Sequence, residues 1–457
     1  MLTTGEMLAA LFYWALGTVL IFRLPLFRNT GITSTQLGGI LLIKVTAGII
    51  YGYIHHRMYD GGDTFAYYYD SLIVTSALRD HPLKFLHLVF GITHRPPDSD
   101  IAVYAYRMSY YTGMSSYFMV RLHALMNLFT YCHYYGNVAI YNFLTLIGQL
   151  YLFRFIMVFQ PAKKNMVLIL LFLFPSVVFW SSGMHKDGIS IAAIGVILYY
   201  GYKLIRLISF TTVNGDASKN SEVKISEVSS EQRMSRLMQL TSAFCMLAFG
   251  LWILAVVRNY LLLLLLPGCC TFILVQYAPR YMLLKYLLIY TLFYFLLFQL
   301  GSLHESVNLS LQMAAKQQEF FQNPGGRTNI ILPPMKPGIT GLLCQVPVAL
   351  YNCFFLPSLT GMSSALQIFP AIDNIVVIVM LVTALFFAFQ QTDRRPMSLF
   401  LFCLFFAWSV FIFTGSIVPN IGALVRYKMP GTLFLLAGCI IVIDGKKIKQ
   451  LMKRSSQ

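Results

Sequence analysis

Apolar runs of about twenty residues recur from one end of this chain to the other, and that recurrence leaves few folds open. Wound at 1.5 Å per residue, such a run matches the ~30 Å hydrocarbon core of a bilayer. Backbone groups in hydrocarbon must bond to one another, so each run reads as a helix. A barrel strand would show shorter, alternating segments. Of the 457 residues, 57% are hydrophobic and 11% are charged, against about 25% charged in soluble domains. The expected fold is therefore all-α: a single integral membrane domain with about eleven transmembrane helices (roughly ten to thirteen) and extracytoplasmic loop helices.

Spans are expected near residues 7–25, 37–55, 138–158, 166–182, 188–205, 238–257, 261–278, 282–300, 372–390, 397–415 and 430–445. The first run has no basic n-region and no small-residue cleavage site, so it reads as a span, not a signal peptide. The formal charge is +17. In a soluble chain that excess would point to nucleic acid. Here short cytoplasmic loops collect Lys and Arg, and no nucleic-acid partner is expected. The eight cysteines lie mainly in apolar segments and read as packing residues, with no disulfide or metal-ligand spacing.

The same rule orients the chain. Inner loops are assigned to Arg23 and Arg28, to Lys163 and Lys164, to residues 206–237, to Arg280 and Lys285, to Arg394 and Arg395, and to the basic tail 446–457. The N-terminus is then outside and the C-terminus inside. Two long segments, 56–137 and 301–371, fall outside. The first is dense in tyrosine: Tyr67, Tyr68, Tyr69, Tyr104, Tyr106, Tyr110 and Tyr111 fit helices lying at the membrane surface, as an aromatic belt or as walls of a sugar or headgroup cleft. Residues 206–237, rich in Ser, Lys and Glu, read as a solvated cytoplasmic loop.

The outer side also collects unusual polar groups. Asp60 and Asp63 follow the second span in YDGGDTFAYYYD, separated by Gly61 and Gly62. His185, Lys186 and Asp187 lie in a turn between two spans, Arg258 in a very short turn, Arg327 after a Gly-Gly pair, and Arg426 and Lys428 just before the last span. Outer turns should be poor in Lys and Arg, so this cluster is an exception to the charge rule. Convergent cations suit a phosphate at the bilayer surface, Arg as a bidentate donor and Lys as a point charge. Most of these residues also have a plain structural use: Asp63 as a helix cap, Asp187 at a helix start beside Lys186, Arg258 reaching to headgroups, Arg426 and Lys428 as surface anchors, His185 in the core. Asp60 lacks such a use and is the first candidate for general base, with Asp63 second. A divalent ion held by Asp60 and Asp63 is compatible with the sequence but not demanded by it.

On these residues the chain resembles membrane glycosyltransferases of the GT-C class and related bacterial surface-polysaccharide enzymes. GGDTFAYY is similar to a pattern near the N-terminus of EpsG/Wzy-type polymerases, and RYKMP to strings before the final span of such enzymes. The resemblance implies a bacterial inner-membrane enzyme using a polyprenyl-phosphate-linked sugar donor and a glycan, lipid or protein acceptor. It further implies an outer-loop carboxylate as base, and His185, Lys186, Asp187, Arg258, Arg327, Arg426 and Lys428 around the substrate. The usual acidic loop of that class follows the first span, whereas Asp60 and Asp63 follow the second. Two other readings stand beside it: a polysaccharide polymerase or ligase acting on lipid-diphosphate glycans, and a transporter or flippase for a lipid-linked or anionic solute. A transporter should place its charges near the bilayer midplane and show repeat symmetry, and no repeat is evident.

Overall fold

The computed structural model describes residues 3–28, 30–217, 230–303, 308–322, 328–362, 364–390 and 393–444. Its helices are, in chain order, α1 (Thr4–Arg23), α2 (Ser34–Met58), α3 (Gly62–Asp80), α4 (Pro82–Phe90), α5 (Ala102–Ala105), α6 (Met114–Thr130), α7 (Tyr134–Phe159), α8 (Lys164–Phe172) and α9 (Pro175–Ser182). They continue as α10 (Lys186–Ala217), α11 (Ser230–Tyr277), α12 (Met282–Leu303), α13 (Leu309–Gln322), α14 (Ile339–Phe355), α15 (Ile368–Ala388), α16 (Arg394–Ile417) and α17 (Ile421–Val442). Among the described residues there is no β-strand longer than one isolated bridge, Asn329 with Asn420.

Nine of these helices are long and apolar enough to cross a membrane among the described residues, and a bent pair, Pro161–Phe172 with Pro175–Ser182, would make a tenth. The protein is thus an all-helical, multi-pass membrane protein. The expected spans 238–257 and 261–278 fall within one helix, α11, of 48 residues. At 1.5 Å per residue that is about 70 Å, more than twice the hydrocarbon core. α11 is broken at Arg258, whose φ of −149° and ψ of 74° are not helical, so the two expected spans lie on either side of that residue. Helices also enter the expected loop 206–237 from both ends: α10 runs to Ala217 and α11 starts at Ser230. The tail 446–457 lies outside the described residues.

Local chemistry starts several helices. Thr33 and Gln36 form a reciprocal capping box before α2: the Gln36 N–H donates to Thr33 Oγ1 at 3.2 Å, and the Thr33 N–H to Gln36 Oε1 at 3.0 Å. Asp393 and Asn420 accept from backbone N–H groups at the starts of α16 and α17. Large apolar side chains such as Leu8, Phe12, Leu283, Val382 and Phe386 are exposed along the spans, as a lipid-facing surface requires.

The chain divides into two compact units, Met1–Val158 with Val178–Asn259, and Phe159–Val177 with Tyr260–Gln457. In the second unit α17 is the central helix, packed against α16 and α15 and buried along most of its length. All eight cysteines are free.

The core of the first unit holds much of the tyrosine-rich segment. Tyr67, Tyr104 and Tyr111 are buried there with Phe65, Tyr117 and Tyr134, while Tyr69 and Tyr106 stay exposed. Only part of that segment is therefore free for a surface belt. The physical reason is that α3, α4 and α6 pack on one another, and flat rings fill the space between them. Several polar groups buried with them are paired. Asn127 Nδ2 donates to Ser71 Oγ at 3.1 Å, and Asn137 Nδ2 to Asn127 Oδ1 at 2.7 Å. Asp70 on α3 accepts from the backbone N–H groups of Ser109 at 3.1 Å and Tyr110 at 2.8 Å. Burial raises the Asp70 carboxyl above its ordinary value, and these two amide bonds oppose the rise.

His123 on α6 is fully buried, and burial pushes it down to about 3. Its folded-state value lies below the unfolded 6.5, so it contributes stability at neutral pH that is lost as pH falls from 6.5 toward 3. The detergent-solubilised protein is expected to lose up to a few kcal/mol over that range. His123→Gln, which carries no titrating proton, should flatten the dependence of melting temperature on pH. An equal slope in the variant would assign the acid sensitivity elsewhere.

Candidate functional site

The site is built where α2 hands over to α3. Three successive residues take positive φ: Asp60 at 48°, Gly61 at 89° and Gly62 at 53°. Glycine adopts this region without a steric cost, and Asp is one of the few other residues that visits it. A Cβ on Gly61 would also approach Phe65 Cβ to 2.9 Å. Asp60 therefore has a conformational use after all, as the exposed residue that ends α2. The tight reversal begins α3 at Gly62 and sets Asp63 in its first turn. No side chain caps α3, so the capping role that competed for Asp63 is not realised.

Asp63 points instead into a line of polar contacts. Its Oδ1 accepts from the Tyr110 hydroxyl at 3.0 Å, and its Oδ2 faces His185 Nε2 at 3.3 Å. His185 Nδ1 accepts from the Lys186 backbone N–H at 2.9 Å, which places the ring proton on Nε2, aimed at Asp63. Asp187 Oδ2 lies 3.3 Å from His185 Nδ1, and Asp187 Oδ1 accepts from Arg258 Nη2. The result is a relay of contacts, Asp63–His185–Asp187–Arg258, from α3 through the α9–α10 turn to the break in α11; its His185–Asp187 step brings two acceptor atoms together and is not a hydrogen bond.

Burial along the relay is graded. The side chains of His185, Asp187 and Arg258 are 2%, 1% and 4% exposed, whereas that of Asp63 is 46% exposed. Only the carboxylate end can meet a solute. Burial makes each member of the pair depend on the other, because removing one would leave an uncompensated charge in a desolvated space. Asp187 also lies in the first turn of α10, where the helix dipole favours an anion. Gly188 permits that placement: a Cβ there would lie 2.3 Å from Ser181 O and 2.6 Å from Tyr141 Oη. Tyr141 also donates to the His185 carbonyl, which fixes the turn.

Lys186 adjoins the relay. Its Nζ donates to Ser115 Oγ at 2.9 Å and Ser116 Oγ at 3.0 Å, and lies 5.8 Å from the centre of the Tyr67 ring. That ring packs in turn against Tyr110 and His185. Ser115 and Ser116 stand in the first turn of α6, and Tyr110 is placed by its N–H bond to Asp70. Tyr110, Tyr67, Ser115 and Ser116 thus belong to the site, although their sequence context marks them only as part of an aromatic, polar loop.

The remaining candidates are Arg327, Arg426 and Lys428. Arg327 is outside the described residues. Arg426 and Lys428 sit on α17 in the second unit. Arg426 lies over the Tyr427 ring, 5.1 Å from its centre. Lys428 is buried and donates to Cys353 O at 2.6 Å, Leu356 O at 2.9 Å and Asn374 Oδ1 at 2.8 Å. Those three acceptors occupy its three donors. Two of them belong to the C-terminal end of α14, where a cation is favoured. Lys428 therefore ties helices together with no proton left for a ligand.

Sequence reasoning passed over Lys44. It is buried in α2, with Nζ 3.2 Å from Ser181 Oγ and 3.5 Å from Ser182 Oγ. A lysine inside the apolar run GGILLIKVTAGII was the available signal. An apolar cavity of about 430 Å³, lined by α1, α7 and the C-terminal end of α6, includes Phe12, Leu16, Leu128 and Phe129. It is about 20 Å along α6 from Ser115, so it is not part of the polar site.

Comparison of the chain with protein-family models, with curated proteins and with solved structures finds no match.

Proposed function

We propose that the protein is an integral-membrane glycosyltransferase that moves a sugar from a polyprenyl-phosphate-linked donor to a hydroxyl acceptor at the outer face of a bacterial inner membrane, with Asp63 as general base. The observation that carries this reading is the graded relay: one half-exposed carboxylate, oriented through two hydrogen-bonding neighbours, backed by a buried imidazole, carboxylate and guanidinium. Orienting a base from behind is what general-base catalysis needs. The N-terminus outside and C-terminus inside follow from the charge rule and belong to the same proposal.

In this mechanism the acceptor O–H gives its proton to Asp63 as its oxygen attacks the anomeric carbon. The new C–O bond forms as the bond from that carbon to the lipid phosphate oxygen breaks, and the phosphate leaves with the electron pair. A single displacement inverts the anomeric centre. Tyr110 and His185 orient the carboxylate, and its half-exposed side chain is within reach of an acceptor. Lys186 supplies positive charge for the departing phosphate, in a poorly hydrated setting where such charge counts for more. Asp187 and Arg258 act through His185 and touch no substrate. Asp60 keeps the turn.

Lys186→Ala is expected to weaken binding of a polyprenyl-phosphate sugar by about 10- to 100-fold, in line with loss of one charged contact. Binding of a fluorescent short-chain prenyl-phosphate sugar to detergent-purified protein would measure it. Unchanged affinity would remove Lys186 from the donor site. A polymerase or ligase would use the same step with a lipid-diphosphate glycan as donor. A transporter reading rests on one observation, the buried Lys44 within a membrane helix. Lipid-linked sugar moved across vesicles without covalent transfer would favour it.

A further inference from the structure

We infer that His87, His94, Asp98 and Asp100 form a divalent transition-metal site, independent of the relay, with a donor set that suits zinc. His87 lies in the last turn of α4; the other three lie in the connection to α5. His87 Nε2 is 3.1 Å from Asp98 Oδ2, His87 Nδ1 is 3.1 Å from Asp100 Oδ2, and His94 Nε2 is 2.9 Å from Asp98 Oδ1. One ligand atom each from His87, Asp98 and Asp100 lies within 4.8 Å of the others. Ligands on a tetrahedral zinc at ~2.1 Å stand about 3.4 Å apart. An ion takes only one of the two ring nitrogens of His87, so one carboxylate must swing to the other's side of the ring, and His94, which meets Asp98, must turn with it to complete the set.

Charge and chemistry agree with that geometry. Two carboxylates held close together repel, and a divalent cation cancels their charge. Two imidazole nitrogens disfavour calcium and magnesium, which take oxygen donors, and suit zinc. The four side chains are 30–50% exposed, so an ion can enter and water can fill a remaining position. The backbone beneath is braced. Arg121 on α6 donates to Leu88 O at 3.2 Å and to Gly91 O. A Cβ on Gly91 would fall 2.4 Å from His87 Cδ2, so glycine leaves the imidazole its place. The competing account is a protonated His87 shared by the two carboxylates, which needs no metal.

The consequence is a clasp on the segment between α4 and α6. Asp70 holds that segment at Ser109 and Tyr110; the metal would hold it near its start.

The test uses full-length protein in detergent, stripped with chelator and then dialysed against Zn²⁺. About one zinc per chain is expected by elemental analysis, falling at least tenfold in His94→Gln/Asp98→Asn. Zinc should raise the melting temperature of the unsubstituted protein and leave that of the variant unmoved. Co²⁺ loaded into the unsubstituted protein should give the visible absorption of a low-symmetry, four-coordinate ion, a readout that requires no variant. Equal zinc content in protein and variant, or no cobalt spectrum, would overturn the site and leave the imidazolium bridge. Neither result bears on transfer by Asp63.

Discussion

Asp63→Asn is expected to lower glycosyl transfer by about 10²–10⁴-fold while the protein stays folded. The amide keeps the size of the side chain and one oxygen for the Tyr110 hydroxyl, which donates to Asp63 at 3.0 Å. It cannot take a proton from the acceptor. The Asp63 capping role that would have made the substitution a folding defect is absent, because no side chain caps α3. Asp60→Asn is the internal control. Asn tolerates the left-handed backbone that Asp60 adopts, so near-full activity is expected. The measurement is transfer from a polyprenyl-phosphate sugar by purified protein, with fold monitored by gel filtration and thermal unfolding. Full turnover by Asp63→Asn would reject its role as base. Inactive but folded Asp60→Asn, with active Asp63→Asn, would exchange the two assignments.

Arg258→Met should destabilise the protein by about 3–5 kcal/mol, because it leaves the Asp187 carboxylate buried without its guanidinium. Both side chains are under 5% exposed, so water cannot replace the lost partner. The double variant Asp187→Asn/Arg258→Met should recover a large part of the loss, since replacing both members of a buried pair is far less harmful than removing one. Thermal unfolding in detergent reads both effects. A single variant as stable as the parent would mean that the pair is reached by water or by another cation. Transfer by the folded double variant should still fall, because His185 loses the groups behind it.

Membrane character, helical class and the places of most spans are determined by the sequence alone. These are local properties: an apolar run near twenty residues can satisfy its backbone only as a helix, whatever packs beside it. The Thr33–Gln36 capping box and the Gly61–Gly62 reversal, found in the structure, are local in the same sense. The residues of the HKD turn also stand out in the sequence, because charge at membrane depth is rare. What tertiary structure alone decided was which of those charges meet. Asp63 and His185 are 122 residues apart, and Asp187 and Arg258 are 71 apart. No periodicity encodes such a meeting; it depends on how α3, α10 and α11 pack. The same packing gave Asp60 a turn to make, Lys428 three carbonyl-type acceptors, and Tyr110 a place beside Asp63. Hydrophobic pattern specifies that a helix is buried or lipid-facing, but not its neighbour. Side-chain chemistry emerges only when packing brings distant polar groups within about 3 Å.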